Sequence, residues 1–307
     1  MMATRDFGKV AVLMGGRSAE RVISLKSGEA VLAALLRQGV DAHKVDVGLD
    51  IGQQLAQGQF DCAFNILHGR GGEDGQIQGL LTSLNIPFTG SDITGAVLSM
   101  NKTLSKVIWQ QNSLPTAEFE VVDIHTDLPS LVTKLGLPIF IKPVNEGSSI
   151  GMSKVSSLVD LAPAIDLALQ YDKEVIAERW INGEEYTVAL VADESLPVIQ
   201  LKTPHDFYDY EAKYTANTTQ YICPSDLNPQ DEKVCRDLAV KAFNVLRMSG
   251  WGRIDFMREH TGQFYLLEAN SVPGMTDHSL VPMASQQAGM SFDELVINIL
   301  LSSCHDS

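Results

Sequence analysis

The feature that most constrains this chain is a hairpin near its end. Two apolar runs, "RIDFM" and "FYLLE", flank the polar stretch "REHTGQ" at residues 258–263. Strand, turn and strand in that order make an antiparallel ladder. With Thr261-Gly262 as the turn, His260 pairs with Gln263, which puts Asp255 opposite Glu268 and Arg253 opposite Asn270. Like charges directly opposite each other destabilise a sheet, and burial raises that cost. One carboxyl must be protonated, or a cation must lie between them. Strand side chains repeat every two residues, so Glu268 and Asn270 share a face. An amide oxygen beside two carboxylates favours a hard cation, and Mg²⁺ is the one that leaves places open for phosphate and water.

A magnesium pair points to a nucleotide, and phosphate chemistry is present elsewhere in the chain. In "IKPVNEGSSIGMSK", Lys142 ends an apolar strand, and Gly147-Ser148-Ser149-Ile150-Gly151 forms a small-residue turn. Backbone N–H groups in such a turn can wrap phosphate oxygens. It is not a P-loop, because GxxxxGK[ST] is absent. Lys102 starts a helix in "SMNKTLSK". The first strand–helix loop, "GGRSAERVISL", lacks the GxGxxG of a dinucleotide site but carries Glu20 near a helix start. His68 lies at a strand end in "NILHGRGGEDG", where parallel sheets usually bind ligands.

The 307 residues are enough for two or three domains. The first third alternates strand and helix, with a helix expected over Ser24–Gln38 and another pattern from Thr94 to Gln111. This implies a parallel sheet. Residues 114–200 are strand-rich, and 202–228 show no period and read as a long loop. "SFDE" near the end is a capping box, with Ser291 as cap and Glu294 three residues on. The net charge of −15 argues against a nucleic-acid partner. No apolar window reaches the length of a membrane span. Four cysteines without metal spacing read as free thiols in a reducing cytoplasm.

Taken together, "LHGRGGEDG", "IKPVNEGSSIGMSK", "FYDYEAKY", "GWGRIDFM" and "LLEANSVPGMTDHSL" resemble the D-alanine–D-alanine ligases of the ATP-grasp superfamily. The resemblance implies an α/β chain with an ATP-grasp fold: a Rossmann-like parallel-sheet domain over 1–100, a central α+β region over 101–184, and a C-terminal α+β region over 185–307 with a lid at 202–228. It implies ATP-dependent joining of two D-alanines through an acyl phosphate, for peptidoglycan synthesis in the cytoplasm, by a homodimer using two Mg²⁺ or Mn²⁺. Lys102 and Lys142 would contact the ATP phosphates under Ser148. Glu178, Arg179 and Ile181 would line the adenine, Glu185 would hold the ribose, and Lys213 would close over the nucleotide. Arg179 stands where many relatives have Lys, a change that a backbone contact tolerates. Asp255, Glu268 and Asn270 match the family's metal ligands. Glu20 would hold the first ammonium and connect through Ser148 to Tyr214, with His68 near that substrate. Arg253 and the Gly274 N–H would stabilise the oxyanion, and Ser279 and Leu280 would receive the second carboxylate.

Other readings compete. A ligase forming D-alanyl-D-lactate or D-alanyl-D-serine is the nearest, and Tyr214 argues for the D-alanine type by resemblance. "GGEDG" with "PGMTDHSL" argues against another ATP-grasp carboxylate–amine ligase. A non-catalytic nucleotide-binding protein has no need of opposed carboxylates, and the missing GxGxxG disfavours a dehydrogenase.

Overall fold

The computed structural model describes residues 6–147, 149–192, 194–203 and 219–303. Ser148, Lys213 and Tyr214 and most of the expected lid lie outside them.

The first sheet is parallel, as the strand–helix alternation predicts. Strand β1 (Lys9–Gly15), buried along nearly all its length, lies between β2 (Asp41–Val47) and β3 (Cys62–Asn65). Helices α1 (Arg21–Arg37), α2 (Ile51–Gly58) and α3 (Gln76–Ser83) alternate with and follow these strands. The run expected as one helix from Thr94 is two, α4 (Ile93–Met100) and α5 (Lys102–Gln111). Asn101 breaks it: its backbone is extended, and its side chain accepts the Leu104 N–H at 2.9 Å. A short polar side chain that satisfies the orphan donors of a helix start competes with continuous helix.

The second sheet has the order β4 (Phe119–Val122), β7 (Val175–Arg179), β5 (Ile139–Pro143), β6 (Ser153–Val155), with every pair antiparallel. Helices α6 (Leu128–Leu135) and α7 (Leu161–Ala168) bury their apolar faces on it. The third sheet runs β11 (Gln220–Ile222), β10 (Ile199–Lys202), β8 (Gly183–Val191), β12 (Trp251–Glu259), β13 (Phe264–Asn270), with β9 (Glu194–Ser195) paired to β8. Residues 220–222 therefore add a strand inside the stretch read as unpatterned loop, because pairing with β10 and not local sequence orders them. Helix α8 (Pro229–Val245) covers one face of this sheet. Helices α9 (Leu280–Gln287) and α10 (Phe292–Ser303) end the chain. The capping box forms, with the Ser291 N–H donating to Glu294 and the Glu294 N–H donating to the Ser291 hydroxyl.

Two cores hold the third sheet to its neighbours. Val12 and Phe64 of the first sheet, Trp251 of the third and Leu295 of α10 belong to one apolar cluster. Trp109 of α5, fully buried, packs with the core under α8 and donates its indole N–H to the Ala242 carbonyl at 3.2 Å. Helix α5, counted with the central region from sequence, is thereby anchored on the C-terminal sheet.

The hairpin pairs Asp255 with Glu268 and Arg253 with Asn270. The path to that register differs from the simple turn. Glu259, not His260, bonds to Gln263, and the Gly262 N–H closes on the Glu259 carbonyl at 2.8 Å. This shifts the ladder by one near the turn. An irregularity between Asp255 and Phe256, which skips Leu267, shifts it back. A bulge re-aims side chains in this way at functional ends of strands.

Cys62 corrects the reading of four free thiols, since it is disulfide-bonded, whereas Cys223 and Cys235 are free. Pairing depends on close approach in the fold, which spacing along the chain does not reveal.

Candidate active site

Two cavities lie side by side. The first, about 450 Å³, opens between the second and third sheets. Lys142, Glu178, Arg179, Ile181 and Glu185 line it, with Met257 and Leu266 as apolar floor. The second, about 260 Å³, is lined by Glu20, His68, Lys102, Arg253, Asn270, Gly274, Ser279 and Leu280. Glu268 lines both. The described residues expected from sequence at the nucleotide and at the substrates thus gather around two adjoining spaces, except Asp255.

In the first cavity, Glu178 is 2% exposed and sits between two lysines. Lys142 Nζ donates to its Oε2 at 2.8 Å, and Lys106 Nζ lies 3.3 Å from its Oε1. Burial works to raise the Glu178 pKa, but Lys106 and Lys142 outweigh burial and hold it below the ordinary carboxylate value. Burial in turn pushes Lys106 down to about 8 against the pull of Glu178. Arg179 spends its backbone N–H on the Glu118 carbonyl, and its guanidinium pairs with Glu259 at 3.1 Å and stacks over Tyr265. Lys102, first residue of α5 and nearly buried, donates to the Glu146 carbonyl at 2.7 Å and lies 3.6 Å from Glu268.

The opposed carboxylates are neutralised by side chains. Arg253 grips Asp255 through two bonds, at 2.8 and 2.7 Å. Asn270 donates to Asp255 at 3.0 Å, and the Thr187 hydroxyl, opposite on β8, at 2.6 Å. Lys102 faces Glu268. Protonation or a metal is therefore too narrow a choice: basic residues two positions away on the strand and on α5 also meet the charge. Asp255 lines neither cavity and is covered by Arg253 and Asn270. Among the described residues no three His, Cys, Asp or Glu side chains converge. The local donor set is two carboxylates and one amide.

The second cavity is built on loops that one sheet clamps to another. Val272 receives a bond at its carbonyl from His68 Nδ1 at 2.8 Å. His68 Nε2 then accepts from the Ser27 hydroxyl at 3.2 Å, and Ser27 accepts the Met275 N–H. Both ring nitrogens are taken, and burial lowers the His68 pKa against the pull of Glu20. Neutral His68 thus positions the 272–275 loop. Glu73, which sequence reasoning passed over within "GGEDG", completes the clamp. It accepts from the Gly69 N–H at 2.8 Å, the Val272 N–H at 3.3 Å and the Ser271 hydroxyl at 3.4 Å. Burial first, then Glu20, pushes Glu73 up to about 8. Its only sequence signal was an acid among glycines at a strand end.

Glu20 precedes α1, and its carboxylate lies against two glycines. A Cβ on Gly69 would come within 2.7 Å of Glu20 Oε2, and one on Gly147 within 3.2 Å. Gly69 has a φ of +70°, which favours glycine independently. Gly274 has no room for a side chain either, because a Cβ would meet the Ser279 hydroxyl at 2.8 Å. Ser279 is the N-cap residue of α9, and its hydroxyl accepts the Thr276 N–H at 2.9 Å. Leu280 opens the helix, so free N–H groups face the cavity end where an anion is favoured.

A sheet carrying a glycine loop, facing a second antiparallel sheet across a lysine- and carboxylate-lined cleft, is the ATP-grasp architecture. Comparison with known proteins agrees and goes further. The D-ala D-ala ligase C-terminus family matches residues 108–301, and the D-ala D-ala ligase N-terminus family matches residues 48–91. The D-alanine–D-alanine ligase of Nitrosococcus oceani is 55% identical over 97% of this chain and 95% of its own length. That of Acinetobacter baylyi is 53% identical over 98% and 97%. The crystal structure of D-alanine–D-alanine ligase from Bacillus anthracis complexed with ATP superimposes with a TM-score of 0.84 at 26% identity, covering 96% of this chain and 97% of that one. The chain belongs to the D-alanine–D-alanine ligase family.

Proposed function

We propose that this protein joins two D-alanines into D-alanyl-D-alanine at the expense of ATP, releasing ADP and phosphate, as a step in peptidoglycan synthesis. The observation that carries this reading is the shared wall: Glu268 faces a nucleotide-sized cavity on one side and the Glu20–Ser279 cavity on the other. A γ-phosphoryl group at the inner end of one then meets a carboxylate held in the other.

ATP lies in the first cavity, with adenine along Glu178, Arg179 and Ile181, ribose at Glu185 and phosphates toward Lys142 and Lys102. Glu20 takes the ammonium of the first D-alanine, whose carboxylate attacks the γ-phosphorus and becomes an acyl phosphate. The second D-alanine, its carboxylate at the Ser279–Leu280 helix start, attacks the activated carbonyl through its amine. The tetrahedral intermediate collapses and phosphate leaves. Charge grows first on phosphoryl oxygens and then on one oxyanion, so preorganised donors supply most of the catalysis. Arg253 and the Gly274 N–H face that oxyanion, and the His68–Glu73 clamp fixes the Gly274 loop.

The donor set of Asp255, Glu268 and Asn270 fits Mg²⁺, which takes one or two carboxylates and leaves its remaining places to phosphate and water. When bound, the cation neutralises charge on the phosphate oxygens. Arg253 holds both oxygens of Asp255 in this structure, so a cation there would compete with Arg253 for that carboxylate. We assign the functional regions as 1–100, 101–184 and 185–307, the assembly as a homodimer and the location as the cytoplasm.

The test is phosphate release from Mg·ATP with D-alanine, with L-alanine, and with D-alanine plus D-lactate, with products identified by mass spectrometry. D-alanine-dependent release with D-alanyl-D-alanine as product is expected. A depsipeptide formed in preference moves the protein to the lactate-using branch, and no D-alanine-dependent release overturns the reading.

A further inference from the structure

Lys106 is a fully buried lysine that lines neither cavity. It lies one helical turn after Lys102 on α5, on the same face. Its Nζ donates to the Thr116 hydroxyl at 2.7 Å, and that hydroxyl donates to the Leu266 carbonyl at 2.8 Å. Among the described residues its one ion-pair partner is Glu178, 3.3 Å away, which already has Lys142 at 2.8 Å on its other oxygen, while Glu268 acts on it from farther off. Two buried lysines on one buried carboxylate leave a surplus positive charge. Stability alone does not call for it, since the second ammonium is desolvated without a carboxylate of its own.

A ligand-binding role does call for it. Lys142 lines the nucleotide cavity and Lys106 stands behind the wall. When Lys142 turns toward an anion, Glu178 would be left buried and unpaired, unless Lys106 keeps its charge. We propose that Lys106 is a positioning residue for ATP: it holds the charge of Glu178, so that Lys142 is free to bind the phosphates. This rests on the reading above that ATP phosphates lie at Lys142. Without Lys106, Glu178 and Lys142 cancel each other, and Lys142 has no charge to spare for the phosphates.

The experiment measures ATP and adenosine binding by titration calorimetry on the full chain, together with the KM for ATP, in Lys106→Met, Lys142→Met, Glu178→Gln and the Lys106→Met/Glu178→Gln double variant. Lys106→Met is expected to weaken ATP binding roughly tenfold to a hundredfold, the scale of a lost charged hydrogen bond, while adenosine binding is little changed. The double variant is expected to bind ATP as Glu178→Gln does, because no carboxylate then competes for Lys142. Equal losses for ATP and adenosine in Lys106→Met overturn the proposal. So does a double variant much weaker than Glu178→Gln, a comparison that remains available if Lys106→Met alone fails to fold. Unchanged ATP affinity in Lys142→Met overturns the phosphate reading itself. A loss in Lys142→Met without one in Lys106→Met overturns only the role of Lys106.

Discussion

Glu268 separates charge balance from chemistry. It is partly exposed between two cavities and is balanced at a distance by Lys102. Glu268→Gln keeps the shape and removes the charge. It is expected to lower Mg²⁺-dependent turnover roughly a hundredfold or more with little change in melting temperature. Unchanged turnover at saturating ATP contradicts the metal assignment. Glu73 makes a different prediction. Its pKa is raised from the ordinary 4.5 to about 8, so the folded protein binds a proton there that the unfolded chain has released. Stability from this group is full below pH 4.5 and is lost as pH rises through 8. The stability of wild type relative to Glu73→Gln should therefore fall across that window and level off above it. Melting curves of both across pH check this, and a difference that grows with pH contradicts it.

At the scale of elements, the hairpin and α5 decide where the charges point. The Asp255–Glu268 opposition was legible from sequence, yet two details of the path were not. The turn begins at Glu259, and the bulge at Leu267 restores the register. The extra residue, Leu267, lies on β13, while β12 keeps an unbroken register with β8, a partner far away in sequence, and neither is marked by local pattern. Period-two reading places Arg253 and Asp255 on one face, but their mutual grip, and Thr187 opposite, came from packing. The break at Asn101 hinged on one cap hydrogen bond within a helical pattern. The box at Ser291 was plain, because both of its residues are local. Ser291→Ala is expected to cost about 1 kcal/mol, seen as a lower denaturant midpoint with an unchanged slope. No shift in that midpoint would mean that the cap is not worth its hydrogen bonds.

At the scale of the whole molecule, three sheets must keep their places for two cavities to share a wall. The first and third share a core. The first and second meet through Arg70, which pairs with Glu146 at 2.5 Å and Asp172 at 3.2 Å. Glu146 also holds Lys102 through its carbonyl. Arg70→Ala should raise the KM for D-alanine several-fold while the protein stays folded, and steady-state kinetics with a melting curve separate the two effects. An unchanged KM would mean that this contact does not set the cavity. That three-sheet arrangement followed from the motif order through family resemblance, whereas periodicity alone gave only strand-rich and helix-rich stretches. Contacts such as Arg70 to Asp172 join residues about a hundred positions apart, and local pattern does not specify them.

The central claim is that a carboxylate in one cavity attacks a phosphoryl group delivered from the other. It is tested most directly with D-alanine carrying heavy oxygen in its carboxylate, followed by mass analysis of the released phosphate. The account predicts one heavy oxygen in the phosphate for each dipeptide formed, because the attacking oxygen leaves with phosphorus. Unlabelled phosphate, or label recovered in AMP alongside pyrophosphate, would contradict it.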